Sequence, residues 1–143
     1  MPLTDATAQK VLDHIFTDPA WTPAATLYIG LSSTTPTRAG GNFTEPSTGA
    51  YARVSTTAAD WSAAANSAPS TKTNTATKTF PTATAAWSSG SNQTHFGIFE
   101  ASSGGTPIAW GALGTAKPVL TDDTPSFAAG ALVLKHGAPT DSF

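Results

Sequence analysis

The chain has 143 residues, a formal net charge of -2 and only 11% charged side chains, far below the roughly 25% of ordinary soluble domains. Without a cysteine it can form no disulfide, thiolate zinc site or thiol nucleophile. Its basic residues, Lys10, Arg38, Arg53, Lys72, Lys78, Lys117 and Lys135, are scattered, which argues against nucleic acid as a partner.

One domain, 1–143, is expected at this length, with a helical arm at 1–20, a β-sandwich over 26–134 and a C-terminal extension at 135–143. Thr4 to Phe16 predicts the single helix: Ala8, Val11, Leu12, Ile15 and Phe16 recur at three- and four-residue spacing as one apolar stripe. Thr4 suits the N-cap, Asp5 suits the first turn, and Asp18-Pro19 ends the pattern. A lone helix of about three turns is marginal in water, so it is expected to dock on the sheets or on a partner. Residues 1–20 lack the basic start and apolar run of a secretory signal, and no stretch reaches the length of a membrane span. No membrane association is therefore expected, and the chain should be made in a cytoplasm.

Thr26 to Leu31 predicts the first strand, with Leu27, Ile29 and Leu31 on one face and Tyr28 on the other. Ser32 to Gly49 is rich in Ser, Thr, Pro and Gly and predicts a long irregular loop. Loops of that length are usually functional or ordered by a neighbour, and Phe43 within it is expected to become buried in an interface. Tyr51 to Thr57 predicts a second strand. Thr71 to Phe80 alternates threonine with Lys72, Asn74, Ala76 and Lys78, predicting one polar edge strand whose lysines discourage unwanted pairing.

Thr94 to Leu113 predicts the central β-hairpin, with two runs of aromatic and branched residues around Ser102-Ser103-Gly104-Gly105. Phe96 and Ile98 should share a face in the first run, and Ile108, Trp110 and Ala112 in the second. Phe99 points the other way, so both faces should be covered, by a second sheet or a neighbouring subunit. Gly97 and Gly111 leave space inside the strands, which Trp110 and Phe99 are expected to use. Lys117 to Leu120, Ser126-Phe127 and Ala131 to Lys135 predict the last short strands, and His136 to Phe143 an extended tail. The pattern as a whole is mainly β, an antiparallel β-sandwich with one N-terminal helix and long irregular loops.

Little in this chain suggests chemistry. His14, His95 and His136 lack the spacing of metal ligands. Asp122-Asp123 suits a turn better than a calcium loop, since no series of oxygen ligands follows. Trp21, Trp61, Trp87 and Trp110 suit a sugar-stacking platform less well than a core, because small residues flank each ring. No nucleophile elbow, phosphate loop or acid/base pair is present. The expectation is a protein that is not an enzyme, with no catalytic, metal or cofactor residues and no cofactor.

Several motifs, in order, resemble a group of small tailed-bacteriophage virion proteins: Leu12-Asp13-His14-Ile15-Phe16, Thr26 to Ser32, Tyr51-Ala52-Arg53-Val54, Phe80-Pro81-Thr82-Ala83, His95 to Phe99, Trp110-Gly111 and Ser126 to Gly130. Relatives in this group are often labelled tail fibre proteins, and some resemble the cement, or decoration, proteins of siphophage capsids. The extension Lys135 to Phe143 departs from that pattern. The resemblance implies a structural virion protein, foremost a cement protein that binds the major capsid protein lattice and neighbouring copies of itself and favours the intact shell by mass action. The alternatives are a tail-tip or tail-fibre component, with host-glycan binding as an optional role, and a free carbohydrate-binding module. Candidate partner contacts are Val11, Leu12, Ile15, Phe16, Phe43 and Phe143.

Overall fold

The computed structural model of the protein describes residues 3–17, 20–67 and 69–136. One helix, α1 (Asp5–Phe16), precedes eight strands: β1 (Thr26–Ser32), β2 (Val54–Thr57), β3 (Ser70–Thr73), β4 (Lys78–Thr79), β5 (Gln93–Phe99), β6 (Ala109–Lys117), β7 (Ser126–Phe127) and β8 (Val133–His136). The main sheet has the order β2-β1-β5-β6, while β3 pairs with β8 and β4 with β7 in two ribbons. Every pairing is antiparallel.

Alternation decides the two faces of the main sheet. Ile29 stands opposite Ile98 and Leu31 opposite Phe96, and these four buried side chains join Trp61, Phe80, Ala83, Trp87, Val119 and Leu132 in one core. The ribbons supply the second layer, where Phe127 packs on Phe96 with ring centroids 5.5 Å apart and on Phe80 at 6.1 Å. The fold is thus the antiparallel sandwich that the strand pattern predicts. Two buried rings find partners for their indole N–H: Trp87 donates to Gly49 O at 2.8 Å and Trp61 to Thr56 Oγ1 at 3.1 Å.

On the opposite face of the sheet Gly30 pairs with Gly97. A Cβ on Gly30 would lie 2.7 Å from Glu45 Oε1, and one on Gly97 would lie 2.7 Å from Phe43. This pair of glycines makes a hollow that the chain's own 33–53 segment fills, so the second face of the hairpin is covered from within the chain. Phe99 and Phe43 take the space beside Gly97. Trp110 lies opposite Gly97 and Gly111 opposite Phe96, so Trp110 does not share the Phe96 and Ile98 face as the run Ile108-Trp110-Ala112 suggested. The pairing runs without interruption from Ile98 opposite Ala109 to His95 opposite Ala112.

Two further expectations are corrected. The polar run 71–80 is not one strand: it divides at Asn74, whose Nδ2 donates to Ala76 O and Ala128 O and whose Oδ1 accepts from Leu132 N, each at 2.8 Å. These bonds end β3 and turn the chain into β4, in the other ribbon. The second strand begins at Val54, because Tyr51 and Arg53 turn their polar ends toward Glu45.

Candidate interaction site

α1 is fastened at its start by polar groups. Thr4 N donates to Ile108 O at 3.0 Å, Asp5 N donates to Arg38 O at 3.2 Å, and Leu3 bridges Ala109. Arg38 Nη2 reaches Asp5 Oδ1 at 2.9 Å. Thr4 occupies the N-cap position, but its hydroxyl meets Thr7 Oγ1 at 3.0 Å and Ile108 O at 3.3 Å and makes no bond to a helix amide. Thr7 is the one buried residue of the helix.

The apolar stripe faces away from this attachment. Leu12, Ile15 and Phe16 are 56%, 63% and 77% exposed, and Val11 is half-buried. They account for three of the four large exposed hydrophobic side chains among the described residues, Leu120 being the other. Polar contacts hold the flank: Lys10 Nζ lies 3.8 Å from Glu100 Oε2 and 5.6 Å from the centre of the Trp21 ring, and Trp21 N donates to His14 Nδ1 at 3.2 Å. The helix is therefore docked on the sandwich at one end, while the stripe that should drive docking stays in solvent.

Phe43 is already half-buried within the chain. Its ring meets Phe99 edge-on at 5.0 Å, in the space that Gly97 leaves. Phe143 lies outside the described residues.

Beside Phe43 is a fastening that the sequence pattern did not reveal. Arg53 Nε donates to Glu45 Oε1 at 2.8 Å, Nη2 to Oε2 at 2.6 Å and Nη1 to Ala101 O at 2.7 Å. The guanidinium carbon lies 3.4 Å from the centre of the Phe99 ring, and the Arg53 side chain is 2% exposed. Tyr51 donates to Glu45 Oε1 at 2.6 Å and accepts from Leu31 N at 3.0 Å. Burial first, and then the Glu45 carboxylate, push the Tyr51 phenol well above its ordinary range. These bonds tie the 33–53 segment to β1 and to the loop after β5. The available signal was a lone arginine between apolar neighbours in Ala52-Arg53-Val54.

The other candidate groups serve structural ends. Asp123 Oδ2 accepts from Leu120 N at 2.8 Å, and Asp122 takes a left-handed φ of 70°, so this acidic pair builds a turn. His95 Nδ1 lies 2.8 Å from Thr94 Oγ1, its ring meets Trp110 at 5.8 Å, and burial lowers its pKa. Trp61 and Trp87 belong to the core, which leaves no platform of four rings. Among the described residues, no three His, Asp or Glu side chains are grouped to hold a metal.

A family profile described as "Podophage GP4 fiber I protein gp80" matches residues 2–135. No curated protein matches the chain in sequence.

Proposed function

We propose, since the chain belongs to the podophage GP4 fiber I protein gp80 family, that it is a non-enzymatic subunit of a phage tail fibre, held in the virion by contact with another virion protein. The observation that carries this reading is a fibre-family match running from the residue before Leu3 almost to the end of β8. Membership of a fibre family favours a tail position over the capsid lattice that the sequence resemblance put first. The contact is made by Leu12, Ile15 and Phe16, exposed along one side of α1. Full burial of each such side chain contributes about 1.5–3 kcal/mol. One ring and two branched chains on a polar-anchored helix thus suit a modest single contact, which repeated copies strengthen through effective concentration.

Labelling the protein in intact particles and counting copies tests this. A few copies confined to the tail are expected. Hundreds spread over the shell would return the protein to the capsid surface.

A further inference from the structure

The most exposed large apolar side chain among the described residues is Phe16, at the C-terminal end of α1. Asp13 stands three residues before it, which places the two as neighbours on the helix surface. No ion pair among the described residues uses Asp13. The end of α1 therefore presents an apolar ring with a carboxylate beside it.

A complementary surface lies on the β3–β8 ribbon. Lys72 pairs with Leu134 and Ser70 with His136, so alternation brings these side chains to one face. With Leu3, Ala64 and Lys135 they line a hollow of about 250 Å³. It is open to contact, since Ala64, Lys135 and His136 are exposed and Leu3, Lys72 and Leu134 are half-buried. That volume falls below the roughly 300–1,000 Å³ of small-ligand sites and suits one large side chain. Every charged side chain in the lining is a base. The ion pairs of the described residues use Lys10, Arg38, Arg53 and Lys78, which leaves Lys72 and Lys135 without a carboxylate among those residues.

The ring and the hollow cannot meet within one copy. Leu3 precedes α1, no residue of α1 lines the hollow, and a helical rise of about 1.5 Å per residue puts Phe16 about 16 Å from Asp5 along the axis. We infer that Phe16 of one copy seats in the hollow of the next, with Asp13 beside Lys72 and Lys135. The two surfaces differ, so the contact runs head to tail and repeats from copy to copy, closing into a circle or extending as an open row according to the rotation. The opposite charges set the register of the contact more than its strength. This inference rests on the reading of the α1 stripe as the contact surface, and it names a second copy of the chain as what that stripe meets.

Sedimentation velocity of the full chain, over a concentration series reaching millimolar, tests it with two variants. Phe16→Ser removes the ring, and Ala64→Glu places a carboxylate in the hollow. Both positions are exposed, so both variants should keep the wild-type melting curve. The wild type should form species larger than a dimer, and each variant alone should associate at least about tenfold more weakly. Mixing the two variants should recover a dimer that grows no further, because only one partner keeps Phe16 and only the other keeps an open hollow. Lys72→Glu should weaken association, and adding Asp13→Lys to the same chain should restore it. A wild type that stays monomeric, variants that associate as it does, or a mixture that forms no dimer would overturn the inference. The fibre reading would survive that result, since it is decided separately by the number and position of copies in particles.

Discussion

Removing the Arg53 side chain leaves Glu45 and Tyr51 together without the cation that neutralises the carboxylate, in a hollow that Gly30 and Gly97 keep tight. Breaking one partner of a buried pair strands the other, so Arg53→Ala should lower stability by about 3 kcal/mol in urea unfolding. Arg53→Lys should recover only part of it, because a lysine cannot reproduce the forked contact or the stacking on Phe99. The Tyr51 phenol, raised by burial and then by Glu45, sets a second expectation. A folded state that holds its proton more tightly than the unfolded chain keeps that stability below the unfolded phenol's range, and loses it as pH rises through the folded one. Urea midpoints should therefore fall in the alkaline range, and Tyr51→Phe should flatten the fall. None of this was legible in the sequence, because Glu45 lies in a stretch without period and meets Arg53 only once the loop has folded back over two glycines.

At the scale of elements, α1 and β1 were legible to within a residue, since each carries a clean apolar period ending at Pro or at a polar run. What periodicity cannot show is where a stripe faces. The helix was expected to dock on the sheets or on a partner, and polar groups of Thr4, Asp5 and Lys10 hold it to the sandwich with its apolar side outward. The double change Ile15→Ser and Phe16→Ser should move stability by no more than about 0.5 kcal/mol, as for other exposed sites, yet deplete the protein from particles. An unfolded variant, or undiminished occupancy, would contradict that use of the stripe. The hairpin was legible as an element, but its register was not, because nothing local announces the bulge opposite Thr94. Likewise, the division of the 71–80 run follows from bonds that Asn74 makes to residues 54 and 58 positions away.

Across the whole molecule, the sandwich class followed from short strands and turn residues, whereas the two separate ribbons could be assigned only once the pairing was known. The features that organise the outer face, a glycine pair, a carboxylate and a guanidinium, are distant in sequence and carry no periodic signature. The link between Glu45 and Arg53 has one more consequence. A staple made of opposite charges needs no oxidant to close it and offers no thiol to reopen it. It forms equally well in a glutathione-rich interior and in aerated medium, and because Arg53 is shut away from solvent, dissolved salt weakens it little. This face of the protein can thus keep one shape through both surroundings.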